Sequence, residues 1–288
     1  MTKNNKPDKL NKNPRGNKLF FRLFFCVVIV LLFFVFLFNG KTKKNLRVSF
    51  FDVGQGDSAL IQTPDGQIIL IDGGPDNLTL RRLGEKLPFY QREIDLIIIS
   101  HYHHDHITGL IEIMRRYRVK KIIYGPEIKD SYLFNILSLI AQENNSEFIS
   151  VFKQAQIRLD EDCFIWFFNP LSLKIKPAEN NSLITKLDCY QQKFLFSGDN
   201  ESAVELALLT AGLNLQADIF KSSHHGSKTS NTLGFLKMIN PSKIIISVGA
   251  DNRFEHPSTE VLKNVNWLGI KVFRTDLMGT IDIFSNIK

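Results

Sequence analysis

The sequence SHYHHDH at residues 100–106 contains four of the seven histidines in this 288-residue chain. It follows a short aliphatic run and precedes a helical pattern, so it lies where a strand leaves a sheet and the chain turns into a helix. In an extended segment His101 and His103 point the same way and can bind one cation together. Asp105 and His106 follow at the turn and can face a second cation. The spacing therefore predicts a metal site at one edge of a sheet.

The remaining three histidines lie in two further places that also follow apolar runs. His224 and His225 follow the run at 217–222 after one residue, and His256 follows the run at 243–248 after a short loop. Scattered surface or core histidines have no reason to cluster in this way. Each place is one where a loop leaves a sheet edge, and functional groups are commonly presented there.

Short runs rich in Val, Ile and Phe alternate with helical patterns over residues 46–288, without a Pro/Gly/Ser-rich linker or a repeat. This region is therefore predicted to be one α/β domain in which helices cover sheet layers. Strands are predicted at 46–52, 58–63, 67–72, 95–100, 120–124, 163–168, 183–188, 193–197, 217–222, 243–248, 270–274 and 279–284. Helices are predicted at 77–87, 107–117, 130–142, 201–211, 232–239 and 258–266, the last with Ser258 as its N-cap.

The order of the motifs resembles the metallo-β-lactamase superfamily, and within it the C-terminal domain of the ComEC/Rec2 competence proteins. FDVGQGDS at 51–58 looks like the opening motif of that branch, and IDGG at 71–74 is similar to the early aspartate strand of the superfamily. FSGD at 196–199 matches the segment that supplies a bridging aspartate. KSSHHGSKTS at 221–230 and VGADN at 248–252, followed by His256-Pro257, resemble the last motifs.

This resemblance implies an αββα four-layer sandwich with two divalent metal ions, Zn²⁺ or alternatively Mn²⁺, at one edge between the sheets. The implied metal ligands are His101, His103, Asp105, His106, Asp199 and one of His224 and His225. Asp199 is expected to bridge the two ions, whose shared water is the implied nucleophile. Asp105 and His256 are the implied catalytic residues.

One departure from the wider superfamily is the lack of a third histidine for the first ion. No histidine occurs between His106 and His224, and Asn180 and Asn181 occupy the matching stretch. These asparagines are either weak oxygen ligands or substrate contacts, which favours Mn²⁺ or Mg²⁺, or they only form a turn before a strand. The departure argues against a β-lactamase or a glyoxalase-type thiolesterase.

Several polar residues are expected to support the metal ligands. Asp72 is expected to orient a ligand histidine through a hydrogen bond. Asp52 and Asp57 flank a glycine-containing loop and either approach the metals or bond to the amides of that loop. His104 is expected to face solvent or to support a ligand. His256 is a proton donor to a leaving group, a buried structural histidine or a cap on the following helix.

The net charge of +7 is unevenly distributed. Eleven of the 36 Lys and Arg residues, but only one of the 29 acidic residues, precede residue 48, so residues 48–288 carry a net charge of −3. Global charge therefore gives no support to nucleic-acid binding by the domain, although it does not exclude a local basic groove.

The N-terminal residues are predicted to form a disordered basic arm at 1–18 and a transmembrane anchor at 19–39. About 20 nearly continuous apolar residues match the hydrocarbon core of a bilayer. A cleaved signal peptide is disfavoured because no small-residue cleavage site follows the run. More basic residues precede the run than follow it, which predicts a single-pass protein of the cell membrane with a cytoplasmic N-terminus and an extracytoplasmic domain. Cys163 and Cys189 lie in strand-like segments; a disulfide between them is allowed outside the cytoplasm, but the sequence does not supply its geometry, and we expect two buried, reduced thiols.

The function implied by the resemblance is that of a membrane-anchored, metal-dependent phosphodiesterase, a nuclease acting on single-stranded DNA in connection with DNA uptake. The alternative is a hydrolase of another small or cell-envelope ester, such as a phosphorylcholine-type phosphodiester or a lactone. A non-catalytic tethered module is disfavoured by the complete ligand set. The implied partners are a membrane and single-stranded DNA, and no obligate protein partner is inferred.

Overall fold

The computed structural model describes residues 14–38, 45–125, 131–169 and 181–285. The chain divides into two compact units, Met1–Lys43 and Lys44–Lys288. The first contains helix α1, Pro14–Phe38, which includes residues 14–18 of the predicted disordered arm. In the described part of the chain, no helix has both the length and the apolar character of a membrane span.

The second unit contains two seven-stranded mixed sheets and the remaining helices. Its strands are β1 Leu46–Phe50, β2 Ala59–Gln62, β3 Ile68–Ile71, β4 Glu93–Ile99, β5 Arg118–Tyr124, β6 Glu147–Ser150, β7 Ala155–Asp160, β8 Cys163–Phe168, β9 Ile184–Cys189, β10 Gln192–Phe196, β11 Ile219–Lys221, β12 Lys243–Ile246, β13 Lys271–Arg274 and β14 Ile281–Ser285. Its helices are α2 Leu78–Lys86, α3 His104–Arg116, α4 Tyr132–Glu143, α5 Ser202–Thr210, α6 Leu233–Ile239, α7 Thr259–Trp267 and α8 Thr275–Met278.

The twelve predicted strands and six predicted helices of this unit are confirmed, within a few residues of their expected bounds. Ser258 caps α7, as predicted, by accepting a hydrogen bond from the Val261 amide at 3.3 Å. The strands β6 and β7 and the short helix α8 were not predicted. β6 has only four residues, and β7 alternates polar and apolar residues at the edge of its sheet. Both lack the continuous apolar run that marks strands such as β4 and β12.

Three apolar clusters separate four layers. The central cluster lies between the sheets and joins Phe50 and Ile98 of the first sheet to Phe194 and Ile245 of the second. A second cluster lies between the first sheet and helices α2, α3 and α4. The third lies between the second sheet and helices α5, α6 and α7. The predicted αββα arrangement of this unit is therefore confirmed.

The sheet topology decides where the loops meet. The first sheet has the order β14-β1-β2-β3-β4-β5-β6 and the second β13-β12-β11-β10-β9-β8-β7. Strands β3 to β6 are parallel, and so are β10 to β13. The loop with residues 100–106 thus leaves the carboxyl end of β4. Because β1 and β3 are both antiparallel to β2, β1 runs in the direction of β4 and Leu46 lies at the opposite edge.

Cys163 and Cys189 form a disulfide, so our expectation of two reduced thiols was wrong. The two residues lie directly opposite each other on the antiparallel strands β8 and β9, with Cα atoms 4.0 Å apart. Both are buried, as expected. The sequence did not supply the register between these strands, and the register is what brings the two sulfur atoms together.

Candidate metal centre

The loops after β4, β10 and β11 converge on the carboxylate of Asp199. Asp199 Oδ2 lies 3.7 Å from His101 Nε2 and 3.4 Å from His106 Nε2. Nε2 of His225 lies 3.8 Å from Asp199 Oδ1 and 3.3 Å from Asp105 Oδ2. Two groups of ligand atoms result, one from Asp105, His106, Asp199 and His225 and the other from His101, His103 and Asp199. Asp199 is common to both groups.

One hydrogen-bonded chain orients His101 and His106. The Asp72 carboxylate accepts hydrogen bonds from His106 Nδ1 at 2.9 Å and from the Ser100 hydroxyl at 2.7 Å. Because Ser100 uses its hydrogen on Asp72, His101 Nδ1 donates to the Ser100 oxygen at 3.0 Å. Nε2 of each histidine is buried without a hydrogen-bond partner among the described residues. A cation bound by these nitrogens removes the cost of leaving them unpaired, so the residues fit a metal site.

The adjacent histidines His224 and His225 lie in a 3₁₀ turn after β11 and both adopt left-handed backbone angles, with φ of 46° and 54°. The turn directs their rings to different partners. His225 belongs to the four-residue ligand group, whereas His224 has Nε2 3.9 Å from Asp199 and Nδ1 3.5 Å from Glu201. The geometry therefore favours His225 as the ligand of the pair. Glu201 is a neighbour of the site that no sequence pattern indicated.

A buried ion pair that sequence analysis missed supports His225. Lys221 is 4% exposed, and its Nζ lies 2.8 Å from Asp57 Oδ2 and donates to the Ser222 carbonyl at 2.9 Å. Asp57 Oδ1 lies 3.3 Å from His225 Nδ1, which also donates to the Ser247 carbonyl at 2.9 Å. The one available signal was a lysine at the end of a short apolar run, three residues before the histidine pair. Asp57 therefore contacts a candidate ligand, one of the two roles expected for it.

The carboxylates and imidazoles of the cluster shift the pKa of one another. Burial alone would lower the pKa of His225, but the carboxylates of Asp199, Asp57 and Asp105 raise it to about 9. Burial alone would raise the pKa of Asp105, but the hydrogen bond from His225 and the charge of His106 lower it to about 2. Positive charge on His225 is thus strongly stabilised, whereas burial, followed by the charge of His106, lowers the pKa of His101. A divalent cation bound there would release protons from the imidazoles.

Two close backbone contacts bring residues 56–74 against the histidine segment. A Cβ atom on Gly109, in α3, would lie 2.0 Å from the carbonyl oxygen of Gly73. A Cβ atom on Gly56, whose φ is 149°, would lie 2.3 Å from the carbonyl oxygen of Asp105. Only glycine fits at either position without displacing the backbone, and these contacts hold the supporting aspartates in place.

Asp52, predicted as a supporting residue, is not brought to the cluster. Its Oδ1 accepts a hydrogen bond from the Gly54 amide at 3.3 Å, and its Oδ2 lies 3.5 Å from Arg82. Asp52 therefore stabilises its own loop, which is the other role that the sequence left open. His103 and His104 are exposed, and the ring of His103 lies edge-on to that of His101 with centroids 4.5 Å apart.

Of the two asparagines that replace the missing histidine, Asn180 lies outside the described residues. Asn181 is 8% exposed, and both polar atoms of its side chain lack a hydrogen-bond partner in the described structure. Its neighbour Ser182 accepts a hydrogen bond from the Asp199 amide at 2.8 Å. Asn181 is thus joined through the backbone to the centre of the cluster and stays a candidate oxygen ligand or substrate contact.

His256 lies beside the cluster but in neither ligand group. Its ring centroid is 5.7 Å from that of His224. The Asn252 side chain accepts a hydrogen bond from the His256 amide at 2.9 Å and donates to the His256 carbonyl at 2.8 Å. Burial, followed by the charges of His224 and His225, lowers the pKa of His256 to about 4. Because Ser258 caps the following helix, His256 is not its cap.

Curated proteins with similar sequences cover most of this chain, among them Competence protein ComA of Neisseria gonorrhoeae, which is 25% identical over 240 residues and covers 83% of this chain and 32% of that protein. The chain is 27% identical over 277 residues to ComE operon protein 3 of Bacillus subtilis, which covers 89% of this chain and 34% of that protein. It is 27% identical over 262 residues to Recombination protein 2 of Haemophilus influenzae, covering 89% and 31%. The chain thus spans about a third of the length of these relatives.

Among solved structures, the metallo-beta-lactamase fold protein YhfI from Bacillus subtilis has a similar fold. The TM-score is 0.57 at 14% sequence identity, over 84% of this chain and all of that one. The metallo-beta-lactamase superfamily domain matches residues 51–249, which include every candidate ligand described above. With this match, the four-layer fold and the histidine and aspartate cluster at its edge, the chain belongs to the metallo-β-lactamase superfamily.

Proposed function

We propose that the protein is a metal-dependent phosphodiesterase that cleaves single-stranded DNA in connection with DNA uptake. The observation that carries the proposal is the presence of two ligand groups that share Asp199. Two adjacent cation sites are the arrangement by which phosphatases and nucleases act on phosphodiesters. The relatives named for the ComE operon and for recombination support DNA as the substrate class.

Cations held by the two groups would supply Lewis-acid activation of a phosphoryl oxygen and of a water molecule. Asp199 would be a ligand in both groups. Asp72 lies at Nδ1 of His106 and Asp57 at Nδ1 of His225, so that Nε2 of each histidine faces the cluster. Zn²⁺ is the proposed metal, with Mn²⁺ as the second candidate because Asn181 offers an oxygen in place of a third imidazole.

His256 is proposed to donate a proton to the leaving oxygen of the DNA strand. Its Nδ1 is buried without a hydrogen-bond partner among the described residues, and its ring lies next to His224. Although the pKa of His256 is low, a phosphodiester anion beside the ring favours its protonated form. A DNA alkoxide is a poor leaving group, so this proton is expected to accelerate cleavage by about 10²–10⁴-fold.

The test is cleavage of a single-stranded oligonucleotide by purified full-length protein loaded with Zn²⁺ or with Mn²⁺. An Asp199→Asn variant prepared in parallel controls for contaminating nucleases, since it differs only at the shared carboxylate. Cleavage by the wild type that is absent from the variant supports the proposal. Turnover of lactones or phosphorylcholine diesters without DNA cleavage would replace it with the small-ester alternative.

We further propose that residues 19–39 anchor the protein in the cell membrane, with the hydrolase domain outside the cytoplasm. Large apolar side chains from Leu23 to Phe33 are 52–68% exposed in α1, and soluble proteins rarely leave such a surface uncovered. The disulfide between Cys163 and Cys189 is of a kind that persists in oxidising compartments. Protease added to intact spheroplasts is expected to digest the domain. Protection until lysis would contradict this orientation.

A further inference from the structure

An exposed aromatic ring stands beside His256 at the rim of the metal centre. Phe254 is 52% exposed and stacks on the His256 ring, with centroids 5.8 Å apart and planes 26° from parallel. The His256 ring in turn contacts that of His224, a neighbour of Asp199. Two successive ring contacts therefore connect the cluster to an exposed phenyl group. One or two nucleotides of a DNA strand are long enough to span these two contacts.

The loop that carries Phe254 is held in place by hydrogen bonds, although its tip is exposed. The Asn252 side chain bonds to both the amide and the carbonyl of His256, and it also donates to the Gly249 carbonyl at 3.0 Å. The bonds to His256 connect the two ends of the segment 252–256. Phe254 is thus presented to solvent by a fixed backbone, which reduces the entropy cost of binding a flat ligand on its ring.

The charges of this loop do not favour a phosphate clamp. Arg253 lies with its guanidinium carbon 5.1 Å from the centroid of the Phe254 ring, but Asp251 and Glu255 flank it and give the loop a net negative charge. The aromatic surface is the feature that can attract a nucleic acid here, because stacking on a base needs no positive charge. This fits a domain whose net charge is also negative.

We infer that Phe254 is a nucleobase-stacking subsite, which binds a base of single-stranded DNA one or two nucleotides from the cleaved phosphodiester. The inference rests on the proposed function and adds a specificity-determining residue to it. The stacked base fixes the position of the strand relative to the metal centre while His256 stays next to the leaving oxygen. Duplex DNA, whose bases are already stacked, is a poorer ligand for such a site.

The test compares Phe254→Ala and Phe254→Trp with wild-type full-length protein, treated with EDTA so that binding is measured without cleavage. Affinity is read from quenching of 2-aminopurine placed at successive positions of a single-stranded oligonucleotide. Stacking on an aromatic side chain contributes about 1–3 kcal/mol per base, so Phe254→Ala is expected to weaken binding by about 5- to 150-fold. Phe254→Trp should bind within about threefold of the wild type, since a larger ring stacks at least as well.

Two further readouts separate stacking from other roles. The slope of log Kd against log salt should be the same in Phe254→Ala and the wild type, because no phosphate contact is removed. An oligonucleotide with an abasic site at the stacked position should bind both proteins equally. The matched control is Phe89→Ala, since Phe89 is 86% exposed and lies four residues before the start of β4, at the edge opposite to the metal ligands.

Equal DNA affinity of Phe254→Ala and the wild type, or the same loss with the abasic oligonucleotide, would overturn the inference. A wild type that cleaves DNA while Phe254→Ala behaves normally refutes the stacking subsite alone. A wild type that neither binds nor cleaves DNA refutes the proposed function and the subsite with it. Metal content and the circular dichroism spectrum of each variant show whether the fold is preserved.

Discussion

Removal of the buried ammonium group of Lys221 should destabilise the domain strongly. Lys221 and Asp57 are both buried, and their charged atoms are 2.8 Å apart. In Lys221→Met the buried Asp57 carboxylate loses its lysine counter-ion and keeps only the His225 imidazole as a neighbouring partner, and breaking such a buried pair costs about 3–5 kcal/mol. That is a large part of the roughly 5–15 kcal/mol by which domains are stable, so the variant should unfold at a much lower urea concentration.

The pH dependence of this loss follows from the pKa of Asp57. Burial alone would raise that pKa, but Lys221, followed by His225 and His106, holds it well below its usual range. In the wild type the ionised carboxylate therefore stabilises the fold above about pH 4, and this contribution is lost as the pH falls through the lowered pKa. Without Lys221, burial raises the pKa of Asp57 relative to the wild type. In acid the carboxyl of the variant is then protonated, and a buried charge no longer destabilises its fold. The stability difference between the two proteins should therefore shrink as the pH is lowered.

The assay is urea unfolding of EDTA-treated protein, with Lys221→Met/Asp57→Asn as the matched double variant. This double variant removes both charges and should recover at least half of the lost stability. If Lys221→Met does not fold, the folding of the double variant still tests the argument. A loss below about 1 kcal/mol in the single variant, or a double variant less stable than the single one, would refute the reasoning.

Three further predictions concern the site and the disulfide. Asp105→Asn should abolish hydrolysis and reduce bound metal, because a ligand carboxylate is lost, whereas His104→Ala should keep at least a third of the activity; equal inactivation would contradict the ligand assignment. His256→Ala should slow DNA cleavage by about 10²–10⁴-fold yet spare bis-nitrophenyl phosphate, whose leaving group needs no proton, with metal content unchanged. Denatured protein should titrate one thiol per chain before reduction and three after it, since Cys163 and Cys189 are paired.

The histidine segment and the strands of the core could be predicted because their residues act locally. An apolar run such as 96–99 predicts a buried strand wherever it lies, and two imidazoles two residues apart share one side of an extended chain. The resemblance to a known family then supplied the order of the layers. Metal ligands that lie far apart in the sequence, such as His106 and Asp199, could be grouped only through that resemblance.

What the sequence did not predict depends on contacts between distant strands. The partner of Lys221 is Asp57, more than 160 residues earlier, and a lysine that ends an apolar run is indistinguishable from an exposed one until the sheets are packed. The disulfide needed the register of β8 and β9. The choice of His225 over His224 needed the left-handed backbone of both residues, which no periodicity indicates.

The position of Leu46, at the edge opposite to the metal ligands, has a practical consequence. Any attachment made through residue 45 joins the domain at the start of β1, at the edge opposite to the loops that carry the ligands. Immobilising the protein through its N-terminal segment should therefore preserve its turnover of large substrates as well as small ones.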